Sequence, residues 1–93
     1  MIRSFAGKET ENIWFGNGSR RIPVDIQNAG LRKLTYLDRA KSINDLHVPS
    51  GNRLEQLKGK KAGTWSIRIN DQRRICFKWD NGYAEEVEII DYH

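Results

Sequence analysis

Gly63-Thr64-Trp65-Ser66-Ile67-Arg68-Ile69-Asn70-Asp71-Gln72-Arg73-Arg74-Ile75-Cys76-Phe77-Lys78-Trp79-Asp80-Asn81-Gly82 is the stretch that decides the fold. Trp65, Ile67 and Ile69 alternate with Ser66, Arg68 and Asn70, the period of two that a strand shows when one face is buried. Asn70-Asp71-Gln72-Arg73 reads as a tight reversal, after which Ile75, Phe77 and Trp79 alternate with Arg74, Cys76 and Lys78. Asn81-Gly82 is the preferred pair for a type I′ turn, whose two central residues both need positive φ. Beyond it, Val87, Ile89 and Asp91 alternate with Glu86, Glu88, Ile90 and Tyr92. Three antiparallel strands therefore form a meander, and its apolar face (Trp65, Ile67, Ile69, Ile75, Phe77, Trp79, Val87, Ile89) needs a cover.

The cover lies upstream. Pro23 suits the first position of a helix, and over Val24 to Ala40 the residues Ile26, Ala29, Gly30, Leu34, Leu37 and Ala40 recur at steps of three or four. A shorter helix begins near Lys8, carries Ile13 and Trp14 near its end, and stops at Gly16-Asn17-Gly18. Ile2 to Phe5 alternates briefly as a first strand, Ser42 and Asp45 are spaced as a capping box, and His47 to Asn52 reads as an exposed connection. The expected fold is α+β in the order β-α-α-β-β-β, two helices packed on one face of a small, mainly antiparallel sheet. Residues 1–93 make one domain, since a second core does not fit in a chain of this length.

Composition excludes several classes. No apolar run approaches the roughly 20 residues of a membrane span, and Met1 to Lys8 lacks the apolar core of a signal peptide, so a cytoplasmic protein without membrane contact is expected. A single cysteine, Cys76, rules out an intramolecular disulfide, and His47 and His93 are too few for a zinc finger. The net charge of +4 is unevenly distributed. Arg53, Lys58, Lys60, Lys61, Arg68, Arg73, Arg74 and Lys78 face only Glu55 and Asp71 in the middle of the chain, whereas Asp80 to His93 contains no Lys or Arg. A sided domain with a polyanionic partner follows.

Strand parity places Ser66, Arg68, Asn70, Arg74, Cys76, Lys78, Glu86, Glu88 and Tyr92 on the face away from the helices. Just upstream, Lys58-Gly59-Lys60-Lys61-Ala62-Gly63 brings ammonium groups and glycine-flanked backbone N–H groups within reach of phosphate. An ordinary antiparallel sheet also keeps one polar face in water, so the residues alone leave both readings open. Cys76 reads as a packing residue, His47 as a surface residue, and Trp14, Trp65 and Trp79 as core.

Four segments together carry a resemblance: Arg53-Leu54-Glu55-Gln56-Leu57-Lys58-Gly59, Gly63 to Asn70, Arg73-Arg74-Ile75-Cys76-Phe77, and the terminal Asp91-Tyr92-His93. In order and spacing they resemble the HigB branch of the RelE-like toxins of bacterial toxin–antitoxin systems, the plasmid maintenance killer type, over essentially the whole chain. The resemblance implies an endoribonuclease that needs no metal or other cofactor and cuts messenger RNA, usually in the ribosomal A site. It also implies restraint by a HigA-type antitoxin with a helix-turn-helix, through which alone the toxin would meet operator DNA. By the same resemblance Lys58 and Arg74 stabilise charge on the scissile phosphate, Tyr92 stacks on or orients a base, and His93 transfers a proton. Asp91 positions that terminal pair, and Lys60, Lys61, Arg68 and Arg73 hold the RNA or ribosomal RNA backbone. Glu55, counted with the substrate-binding residues, stands where some relatives carry a histidine, so the resemblance leaves the identity of the general base open. A non-catalytic module that blocks translation or ribosome maturation by occupancy would present the same basic face.

Overall fold

The computed structural model describes residues 1–58 and 63–91. Helices α1 (Lys8–Trp14) and α2 (Val24–Arg39) precede two short 3-10 turns, Ile43–His47 and Ser50–Asn52. Strands β1 (Glu55–Gln56), β2 (Thr64–Arg68), β3 (Arg73–Asp80) and β4 (Tyr83–Asp91) form one sheet in the order β1-β2-β3-β4, every neighbouring pair antiparallel. The α+β fold expected from the sequence is the one found.

Local chemistry explains the elements. Asn70 Oδ1 accepts from the backbone N–H groups of Gln72 at 2.9 Å and Arg73 at 2.8 Å, closing the β2–β3 reversal as an Asx turn. At the β3–β4 turn both Asn81 (φ 48°) and Gly82 (φ 91°) take the positive values that a type I′ turn demands. Ser42 and Asp45 form the capping box reciprocally, as their spacing predicts.

The core lies between the helices and the inner sheet face, where Leu34 and Leu37 of α2 meet Ile67, Ile75, Phe77 and Val87. Each of these is at most 1% exposed, and each stabilises the fold by about 1.5–3 kcal/mol relative to exposure. Gly30 permits the close approach of α2, because a Cβ there would stand 3.3 Å from Ile89 Cδ1 and 3.7 Å from Ile69 Cδ1.

Several expectations need correction. Ile2 to Phe5 is not a full strand; it makes two isolated parallel bridges to β4, Ile2 with Ala84 and Phe5 with Val87. A bulge explains the spacing of β4. The β3–β4 register shifts between Cys76 and Lys78, Glu86 adopts φ 52°, and its N–H donates to Ser4 Oγ at 2.9 Å. Ala84 and Val87, three residues apart, are consequently both fully buried. Strand β1 lacked enough alternation to be seen in the sequence. The connection His47 to Asn52 is not wholly exposed, since Asn52 is fully buried. Trp14, Trp65 and Trp79 are half-buried and pack against the core from its rim. Finally, Ser66, Arg74 and Cys76 lie on the outward parity yet are buried, because parity sets the face and not the depth.

Candidate functional site

The outer sheet face carries two cross-strand rows. Glu55, Ser66, Cys76 and Glu88 stand opposite one another in register from β1 to β4, and beside them Arg68, Arg74 and Ile90 form the next row. Residues directly opposite in such a ladder have Cβ atoms about 4.5–5.5 Å apart, and like charges in these positions repel. Arg68 and Arg74 occupy such a pair, so this part of the face favours an anion between them.

Arg74 is fixed from three sides. Its Nε donates to Ser66 Oγ at 2.8 Å, and its Nη2 donates to the carbonyl oxygens of Arg53 and, at 3.4 Å, Ser66. Glu55 Oε2 lies 3.8 Å from the same Nη2 and is itself 58% exposed. Arg68 donates instead to Asp71 across the β2–β3 turn, an almost fully exposed carboxylate. The Arg68–Asp71 pair is of the exposed kind that contributes about 0–1 kcal/mol, so a phosphate can displace Asp71 at small cost, and Glu55 is more than half exposed beside the buried Arg74. The guanidinium fork of Arg74 matches phosphate oxygens better than an ammonium would.

Arg73 points the other way. It stands opposite Asp91 in register, 3.9 Å from its carboxylate, on the parity of Ile75 and Ile89, which is the helix side. There it lines a cleft of about 660 Å³ with Lys8, Arg21, Ile89 and Asp91. Arg73 and Arg74 therefore lie on opposite faces, as adjacent strand residues do and as the outward parity of Arg74 implies.

Lys58 is exposed just past β1, whose pairing continues through the bond from Leu57 N–H to Thr64 O at 2.7 Å. Lys60, Lys61, Tyr92 and His93 lie outside the described residues. Of the sequence candidates, the structure brings together Glu55, Arg68 and Arg74, and separately Arg73 and Asp91. Among the described residues no group of three His, Cys, Asp or Glu is placed to hold a metal ion. The sequence reading missed Ser66 as the anchor of Arg74, although its outward parity one pair away from the Arg68–Arg74 row was the available signal. It also missed Lys33 on α2. Burial lowers the Lys33 ammonium from its ordinary value, and the positive charges of Arg32 and Arg68 lower it further.

The comparison with known families is decisive: the HigB-like toxins, described as RelE-like toxin of type II toxin-antitoxin system HigB, match residues 3–93. The chain belongs to the HigB-like toxin family. Toxin HigB-1 of Vibrio cholerae serotype O1 is 49% identical to this HigB-like chain over 85 residues, 90% of each. Endoribonuclease HigB of Proteus vulgaris is 30% identical over 93 residues, the full length of both. Among solved structures, a YoeB-YefM complex from Staphylococcus aureus superposes with a TM-score of 0.65 at 20% identity, covering 100% of this chain and 95% of that one. A YafQ mutant from E. coli gives 0.60 at 15% identity, covering 98% and 91%. These two likenesses show the fold. For the HigB-like toxin itself, membership in a type II system means that an antitoxin is its expected partner.

Proposed function

We propose that this HigB-like toxin is an endoribonuclease that cleaves messenger RNA in the ribosomal A site and so halts translation and growth. The observation that carries the reading is Arg74, a guanidinium held by Ser66 and Arg53 directly across from Arg68 on the outer face. The name of the Proteus vulgaris relative, Endoribonuclease HigB, supports the reaction class.

The chemistry is an internal transesterification. The 2′-hydroxyl of the nucleotide 5′ to the cut loses its proton and its oxygen bonds to phosphorus. The bond from phosphorus to the 5′-oxygen then breaks, and that oxygen takes up a proton, leaving a 2′,3′-cyclic phosphate and a 5′-hydroxyl. The chain's own groups supply three things: proton transfer, charge stabilisation of the phosphorane, and alignment. In this proposal Arg74 and Lys58 neutralise the developing phosphorane charge, His93 moves protons, and Tyr92 orients a base with Asp91 positioning the pair. Arg68, Lys60 and Lys61 follow the backbone, and Arg73, on the helix side, engages a further stretch of RNA or ribosomal RNA backbone. Glu55 is the anion that the phosphate replaces. The reaction needs no metal ion when cationic side chains carry the phosphorane charge. The partner that restrains the toxin is a HigA-type helix-turn-helix antitoxin, through which the pair reaches operator DNA. The site of action is the cytoplasm, where the ribosome is; among the described residues no helix is long and apolar enough to cross a membrane.

Primer extension on a defined message tests the proposal, with the toxin and its His93→Gln variant, in a purified translation system with and without ribosomes. Discrete new 5′ ends that require ribosomes and His93 are expected. Growth arrest without any new 5′ end would refute cleavage and leave inhibition by occupancy.

A further inference from the structure

The segment that delivers Glu55 and the Arg53 carbonyl to the site is held by a buried asparagine. Asn52 is fully buried, and its Nδ2 donates to the carbonyls of Leu46 at 3.2 Å and Val48 at 3.3 Å. Its Oδ1 accepts from Lys33 Nζ of α2 at 2.6 Å. Both ends of the amide are thus used, and the 3-10 turn Ser50–Asn52 is tied to the preceding turn and to the helix layer at once. The next residue, Arg53, is left-handed (φ 45°, ψ 58°) although it is not glycine. A side-chain-bearing residue keeps that conformation only where its surroundings over-determine it, and such residues cluster at sites where strain is used. Here the left-handed turn aims the Arg53 carbonyl at the Arg74 guanidinium and sends Leu54 onward into β1.

We infer that Asn52, held by Lys33, is a positioning residue: it fixes the left-handed Arg53, whose carbonyl orients Arg74 toward phosphate. The inference rests on the endoribonuclease reading for what Arg74 is oriented to do, while the orienting itself is independent of that reading. Asn52 and Lys33 touch no substrate; they act through the backbone of Arg53. The Lys33 ammonium is partly buried, and its bond to Asn52 Oδ1 supplies the partner that a partly desolvated cation needs.

The test reads Arg74 directly. The Nε–H of Arg74, assigned by its loss in Arg74→Lys, is followed by heteronuclear NMR and solvent exchange in the full-length toxin, in Lys33→Met and in Asn52→Ala. Messenger RNA cleavage on programmed ribosomes is measured alongside. In Lys33→Met, exchange at Arg74 Nε–H is expected to accelerate by about tenfold or more, and kcat to fall by about tenfold with KM within about twofold, the signature of lost alignment rather than lost binding. Lys33→Arg, which can still donate to Asn52, is expected to restore both. Lys33→Met keeps the question answerable if Asn52→Ala fails to fold. Unchanged Arg74 exchange in a folded Lys33→Met protein overturns the inference. If the wild-type toxin cuts no message, the exchange rates still decide the positioning role and only the nuclease reading falls.

Discussion

Replacing Ser66 by alanine isolates what holds Arg74. The Ser66 side chain is fully buried, and its Oγ accepts from Arg74 Nε at 2.8 Å. Removing that acceptor leaves a charged N–H without its bond in a buried place, which costs about 1–3 kcal/mol. The lower half of that range applies. The Ser66 and Arg53 carbonyls, which the substitution does not touch, still accept from Nη2, and Glu55 remains 3.8 Å away. A loss of about 1.5 kcal/mol lowers the melting temperature of a domain this size by roughly 6–12 °C. If the unrestrained guanidinium also loses its alignment in the transition state, a similar energy lowers kcat by about tenfold. The assays are thermal unfolding and cleavage on programmed ribosomes, run for Ser66→Ala, Arg74→Lys and the double variant. Since Ser66 acts through Arg74, the double variant is expected to be little worse than Arg74→Lys alone. Additive losses in both stability and kcat, or a melting temperature unmoved by Ser66→Ala, would refute the reasoning.

Three further outcomes follow from other contacts. Glu55→Gln removes the carboxylate beside Arg74, and affinity for an uncleavable 2′-O-methyl oligonucleotide is expected to rise by about two- to fivefold, the scale of one exposed pair; unchanged or weaker binding shows that Glu55 does not compete with phosphate. Gly30→Val places branched carbons where a single Cβ already comes within 3.3 Å of Ile89, so denaturant unfolding should show a loss of roughly 2 kcal/mol or more from overpacking at the helix–sheet contact; a stable variant would mean that α2 shifts freely. The Asp45 carboxylate is held below its ordinary value of 3.8 by the backbone N–H groups of Lys41 and Ser42. Its stabilisation is therefore complete above the unfolded value and lost as pH falls through the depressed folded one, and Asp45→Ala should flatten the acid limb of the stability profile; an Asp45 resonance titrating at or above 3.8 contradicts the capping geometry.

What the sequence made legible was whatever depended on local periodicity and turn chemistry. Trp65 to Trp79 and Asn81-Gly82 specified the β2–β3–β4 meander, because period two and a turn that needs positive φ are written into a few adjacent residues. The stripe from Ile26 to Ala40 specified α2 for the same reason. The losses were non-local. Two residues of β1 carry no pattern, and the parallel contacts of Ile2 and Phe5 depend on strand β4 at the other end of the chain. Asn52 sat in a string of turn residues that reads as solvent-exposed, and only the approach of Lys33 from α2 reveals it as buried. Glu55, Arg68 and Arg74 were all singled out from the residues and the resemblance, whereas the pairing of Arg73 with Asp91 on the helix side becomes visible only with the β3–β4 register.

The Arg68–Arg74 pair shows how a small domain with only two histidines can present cations suited to phosphate. A free sheet does not gain stability by setting two arginines opposite one another; each is offset by its own carboxylate, Asp71 for Arg68 and Glu55 for Arg74. Both carboxylates are more than half exposed and open to exchange with a solvent anion, whereas the bond from Arg74 to Ser66 is buried and that to the Arg53 carbonyl is part-buried. On the proposed nuclease reading, an arriving phosphodiester takes over positions that the protein has already oriented, exchanging carboxylates for a ligand that spans both arginines. On that reading folding orients the cations in advance, and they meet the charge that develops on the phosphorane without further reorganisation.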